Sequence, residues 1–151
     1  MKPDRRDRAA EAEIRTLILA RADAMRRRDA RALVGDLSAS AIVFEMIPPL
    51  RLPAGAASDL ASVQAWLNSW QGDLEVEIRD LDIRVSGDVA FASSLNRLSG
   101  TAVNGRLVDM WMRSTLGFEK TADGWLIVHA HTSVPFHPDA SLRAAVDLKP
   151  D

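Results

Sequence analysis

At 151 residues, with 47% apolar and 26% charged side chains, the chain is long enough to bury one core and too apolar to be disordered. Its 19 basic and 21 acidic residues nearly cancel, which excludes a long-range pull toward nucleic acid or an anionic membrane, and no apolar run reaches the roughly 18 residues of a membrane span. The absence of cysteine excludes disulfides, a thiol nucleophile and cysteine-ligated metal, and the absence of tyrosine removes a common phenolic donor.

The first residues, MKPDRRDRAAEAE, lack a signal-peptide core, so a cytoplasmic location is the default expectation. Residues 1–8 interleave Arg with Asp and read as a flexible lead-in rather than a nucleic-acid arm. From Ala9 to Arg28, the apolar residues Ile14, Leu17, Ile18, Ala22 and Met25 recur at three- and four-residue spacing, which predicts a long amphipathic helix. Asp29 is placed to cap a short second helix, Ala30 to Leu37.

The run IVFEMI, residues 42–47, reads as a strand stopped by Pro48-Pro49. Glu45 within it points either to a rim or into a cavity, where desolvation would raise its pKa and make it a usable base. After a Pro/Gly-rich loop, Ser58 or Asp59 caps a third helix carrying Leu60, Val63, Trp66, Leu67 and Trp70. The remainder is a meander. Apolar parity changes in residues 73–85 as a bulge near Arg79-Asp80 would produce. Gly87-Asp88 and Asn104-Gly105 mark hairpin turns, and a last strand runs through GWLIVHAHTSVPF, residues 124–136.

A two-residue turn at Asn104-Gly105 sets Ser94 by Thr115, Asn96 by Arg113 and Leu98 by Trp111. A three-residue loop at 121–123 then sets Thr115 by His129, Arg113 by His131 and Trp111 by Ser133. In that register one face gathers Asn96, Trp111, Arg113, Thr115, His129, His131 and Ser133, either as a cavity wall or as a hydrogen-bonded dimer surface.

Taken together, VFEMIPPL at 43–50, GDLEVEIRDLDI at 72–83, VAFASSLNRLSG at 89–100, DMWMRST at 109–115 and the last-strand motif resemble the nuclear transport factor 2-like superfamily, in its SnoaL-like, ketosteroid isomerase-related branch. The match spans roughly Glu11 to Phe136. The resemblance implies an α+β fold: a cone-shaped, curved mixed β-sheet wrapped around the long N-terminal helix (a cystatin-like roll). It also implies one domain over residues 9–136, a pocket at the open end and a homodimer through the sheet, while Pro135, Pro138 and Pro150 mark an irregular tail over 137–151. Glu45 sits about where steroid isomerases have their aspartate base. Their oxyanion-hole tyrosine has no counterpart here, and their protonated aspartate would fall near Ser114 or Thr115, so steroid isomerisation itself is not expected.

One reading is an acid–base enzyme of isomerase, cyclase, dehydratase or hydrolase type. It acts on a small, mostly apolar molecule that bears a carbonyl or carboxylate. In it, Glu45 or His129 is the base, while Arg113, Asn96 and His131 stabilise oxyanion charge. Trp66, Trp111, Thr115 and Ser133 contact the ligand. The other reading is a non-catalytic binding or association domain in which Arg113 holds a carboxylate. No cofactor is expected. His129 and His131 would need Glu45 or Asp109 to complete a metal site, and Arg113 beside them argues against a cation. Ser133 lacks the Gly-x-Ser-x-Gly elbow of a nucleophile.

Overall fold

The computed structural model describes residues 5–151, and the first four residues of the expected lead-in lie outside them. Helix α1 runs Arg5–Arg27, so Arg5 to Arg8 continue the helix rather than precede it. Ala10, Ile14, Ile18 and Ala22, each four residues apart, form its buried stripe. Arg28, with φ 58°, turns the chain out of the helix. Asp29 then accepts a hydrogen bond from the Ala32 amide at 3.0 Å and caps α2, Ala30–Gly35. Strand β1, Leu37–Phe44, starts and ends earlier than the IVFEMI run suggests, and Glu45 follows it directly. Asp59 accepts from the Ser62 amide at 2.8 Å to cap α3, Leu60–Asn68. Trp70, expected on that helix, instead opens β2, because Ser69 closes the helix.

Strands β2 (Trp70–Ser86), β3 (Val89–Ala102), β4 (Leu107–Thr121) and β5 (Gly124–Ser133) complete a five-stranded sheet of order β1-β5-β4-β3-β2, antiparallel except for the β1–β5 pair. The sheet curves around α1, giving a concave face toward the helices and a convex face away from them. At one end of the concave face Ile14 and Ile18 pack with Ile83, Phe118, Trp125 and Ile127. At the other, Ala22 and Leu33 pack with Leu67, Trp70, Leu98 and Met112. Burying one such large side chain stabilises by roughly 1.5–3 kcal/mol. The expected bulge in β2 is present: Arg79 pairs with Leu95 but Asp82 with Ser93, and Asp80 has φ 53°.

Two turns differ from expectation and change which side chains share a face. The β3–β4 loop holds three residues, Val103 to Gly105, because the Ala102 amide bonds the Arg106 carbonyl at 2.9 Å and Gly105 takes the left-handed conformation, φ 82°. Ser94 therefore pairs with Ser114, Asn96 with Met112, and Leu95 with Arg113. The β4–β5 turn is tight, with Thr121 opposite Gly124. Between the pairs Phe118–Ile127 and Gly117–His129, Val128 is an extra, bulged residue. It inverts the parity of β5: Trp125 and Ile127 are buried on the concave face, while His129, His131 and Ser133 turn to the convex one.

The tail is more ordered in its contacts than an irregular segment. Phe136 bridges Ala144, Ala145 is buried, and His137 Nε2 lies 2.9 Å from the Asp147 carboxylate. Arg79 donates to the Asp151 carbonyl at 3.2 Å, so the tail returns across the sheet as far as β2.

Candidate functional site

The concave face carries a polar row that crosses the strands between the two apolar clusters. Ser94 on β3 pairs with Ser114 on β4, and Ser114 with Thr132 on β5. Since Phe44 pairs with His131, Glu45, one residue on, comes level with Thr132. Ser114 is buried, whereas Ser94, Asn96 and Thr132 keep partial solvent access. Ser94 Oγ donates to Asn96 Oδ1 at 2.8 Å, which leaves the Asn96 amide hydrogens facing outward from that pair as donors. Ala92, Leu116 and Ala130 border the row on the narrow side, and Met46, Met110, Met112 and Val134 on the wide side.

Burial pushes the Glu45 carboxyl above its ordinary range, and no charged neighbour offsets it. The side chain stays reachable by solvent although protein surrounds much of the carboxyl; the raised direction follows from that surrounding density, and it suits a proton-transfer group. Trp66, 40% exposed, stands at the wide end with its ring edge-on to Trp70, centroids 6.0 Å apart. Trp70 is buried, and its indole nitrogen has no hydrogen-bond partner among the described residues.

The other expected site residues are on the convex face. Arg113, Thr115 and His131 are exposed there, with Ser133 opposite Arg113 and His131 opposite Thr115. His129 Nδ1 lies 2.9 Å from the Ile42 carbonyl, and the Phe44 ring is edge-on to both imidazoles at 5.2 and 5.6 Å. Trp111 lies under the Arg79 guanidinium at 5.9 Å. Beside it Arg97 holds Asp109 with two bonds of 2.7 and 2.8 Å, which lowers the Asp109 pKa and raises that of Arg97. The expected constellation is thus divided: Asn96 and Glu45 belong to the concave side, and Arg113, Trp111, Thr115, His129, His131 and Ser133 to the other. The three-residue loop is the physical reason: it shifts β3 by one residue against β4 and takes Asn96 off the face of Arg113, whereas the tight β4–β5 turn and the Val128 bulge together leave Arg113, Thr115, His129, His131 and Ser133 on one face, as expected.

Ser94, Ser114 and Thr132 are the site residues that the turn-based register did not bring together. Their signal was Gly105, whose left-handed conformation a three-residue loop requires. Two open clefts lie elsewhere, one between α1 and β2 beside Leu19 and Arg26, the other on the convex face beside Trp111 and Lys149. Charges in both already pair within the protein, as Asp23 with Arg26 and Arg97 with Asp109, so neither offers unmatched directional groups as the concave row does. Among the described residues, no three His, Asp or Glu side chains are grouped to hold a metal ion, and no helix is long and apolar enough to cross a membrane.

Several known proteins share this architecture. A nuclear transport factor 2-like protein of unknown function from Pseudomonas putida KT2440 is 29% identical, with a TM-score of 0.82 over 94% of this chain and 97% of that one. An uncharacterized protein with a cystatin-like fold from Caulobacter vibrioides, 18% identical, superposes with a TM-score of 0.70 over 88% of this chain and 94% of that one. The association domain of C. elegans CaMKII, 16% identical, does so at 0.67 over 87% of this chain and all of that one. Over 86 residues the chain is 33% identical to the dynein-1-alpha heavy chain of the flagellar inner arm I1 complex of Chlamydomonas reinhardtii, a stretch covering 54% of this chain and 2% of that protein. The SnoaL-like domain profile matches residues 14–137, most of the chain. With the sheet, the enclosed helix and the order of elements in agreement, the protein belongs to the SnoaL-like domain family of the nuclear transport factor 2-like superfamily.

Proposed function

We propose that the concave face binds a small, mostly apolar molecule and that Glu45 is its acid–base group. One observation carries this reading: a row of Glu45, Thr132, Ser114 and Ser94, with Asn96 beside it, lies between two apolar clusters and keeps partial access to solvent. An apolar wall with a few directional groups is the usual make-up of a small-molecule site. Glu45, its pKa raised by burial, would take a proton from carbon next to a carbonyl or from a hydroxyl. The Asn96 amide and the row's hydroxyls would stabilise the charge that develops on oxygen. Isomerisation, cyclisation, dehydration and hydrolysis all begin with such a transfer. Trp66 would contact the ligand at the mouth.

In this reading Arg113, His129 and His131 take no part in the chemistry. They serve, with Trp111, Thr115 and Ser133, a second role that the exposed convex face favours: association with another copy of the chain. Phe91 and Ile42 remain 51% and 37% exposed there, apolar area that an isologous sheet-to-sheet contact would cover. The likeness to an association domain is consistent with that role.

Naphthalenemethanol, a fused ring with one hydroxyl, is a suitable probe. Calorimetry should show its binding lost in Thr132→Trp and in Ser94→Leu, each of which fills the concave row, and retained in His131→Ala. Sedimentation should show the reverse sensitivity, with dimer weakened in His131→Ala alone. Binding that survives both blocking variants but fails in His131→Ala would refute the concave assignment.

A further inference from the structure

Resting on that concave-site reading, we infer that the site selects an uncharged, shape-variable apolar molecule carrying a hydroxyl or carbonyl, and turns away carboxylates and phosphates. Two independent features support it: the charges around the row and the composition of its wall.

Glu45 is the one charged group the sheet brings to the row, and no basic residue contributes to its pKa shift. Three arginines on and just after the neighbouring helix are committed elsewhere. Arg21 donates to the Leu33 carbonyl at 2.6 Å and lies 3.4 Å from Asp36. Arg26 bonds the Val76 carbonyl and Asp23, and Arg28 the Gly72 carbonyl. Arg113, the cation that would otherwise hold an acidic ligand, faces the opposite side of the sheet. An anion at the row would therefore meet a carboxylate whose pKa no cation lowers, and the two like charges repel. A hydroxyl or carbonyl meets matched partners instead: it can donate to Glu45, or accept from the Asn96 amide and the three hydroxyls.

The wall adds the second feature. All four methionines after Met1, namely Met25, Met46, Met110 and Met112, belong to the apolar cluster on the wide side of the row. Unbranched thioether side chains repack at low cost around differing shapes. A wall built this way recognises apolar bulk rather than one outline, so selectivity falls to the polar row and its single negative charge.

The test compares naphthalenemethanol with naphthoate, the same ring bearing an alcohol or a carboxylate, by calorimetry at neutral pH. The wild-type protein should bind the alcohol at least about tenfold more tightly than the acid. Glu45→Gln, which removes the charge at a solvent-reachable position, should shrink that gap by strengthening naphthoate binding. Equal or tighter binding of naphthoate by the wild type would overturn the inference, as would a gap unchanged in Glu45→Gln. Ser94→Leu and Thr132→Trp separate the two levels. If they abolish alcohol binding while naphthoate competes equally with the alcohol for the wild-type protein, the site stands and the charge selection fails. If they leave alcohol binding intact, or if neither probe binds the wild type, the concave-site reading fails and the selection with it.

Discussion

The two faces of this sheet are made by the same strands, from residues that alternate along them, yet they tolerate different chemistry. In the row that crosses the middle of the concave face the polar groups are neutral hydroxyls and one amide, with a single carboxyl at the rim, and the lysine at the far end of that face, Lys120, is paired with Glu13 of α1. On the convex face charged groups are common, some paired as Arg97 with Asp109 and some exposed as Arg113 and His131. The difference is the cost of removing charge from water, which a half-buried row cannot bear without partners and an open face does not incur. Which residue meets which environment was decided by local backbone devices. One extra residue at Val128 sends Ile127 inward and His129 outward, although one residue separates them in sequence.

That contrast can be broken most severely at the bulge itself. Deleting Val128 forces either the histidines under α1 or the strand out of register, and loss of the cooperative unfolding transition is the expected result. A stable variant with His129 still on the convex side would show that the bulge does not set the parity. Next in size, Phe118→Ala empties a fully buried concave position and should cost about 3–5 kcal/mol in denaturant unfolding. Thr115→Ala, on the exposed side of the same strand, should stay within about 0.5 kcal/mol. Equal losses would contradict the two-faced picture. Asp29→Ala, which removes the cap of the short helix over the concave face, should cost about 1 kcal/mol.

The smallest expected effect concerns pH. The folded-state pKa of Glu45 is raised, so the folded protein binds a proton there more readily than the unfolded chain does. Its contribution is most favourable below the unfolded carboxylate pKa and declines as pH rises through the raised folded value. Glu45→Gln should therefore slightly raise the melting temperature at neutral pH relative to wild type, with the advantage disappearing in acid. An advantage that grew on acidification would reverse the assigned direction.

Much of the fold was legible because the decisive signals are local. The four-residue spacing in α1, the caps at Asp29 and Asp59 and the parity change near Asp80 each state a conformation in a few residues. Several separated blocks then carried the family resemblance. The site was less legible because facing depends on register, and register accumulates every turn and bulge along the meander. Gly105 announced a turn but not whether two or three residues formed it. Val128 has no sequence mark at all, being one apolar residue in an apolar strand. Glu45 survived these errors since its position follows from β1 and its stop, not from the hairpins. His129, His131 and Arg113 kept one another's company but lost Asn96, because the pairing of β3 with β4 followed from the length of one hairpin turn.

The central claim, that small molecules enter the concave face and not the convex one, is tested most directly at two adjacent residues. The chain has no cysteine, so Thr132→Cys and His131→Cys each supply a single thiol, one on each face. The rate of their labelling by a bulky maleimide is measured with and without naphthalenemethanol. Added probe should slow labelling of Thr132→Cys in proportion to occupancy and leave His131→Cys unchanged at fixed protein concentration. Protection of His131→Cys with Thr132→Cys unaffected would place the ligand on the convex face and contradict the account.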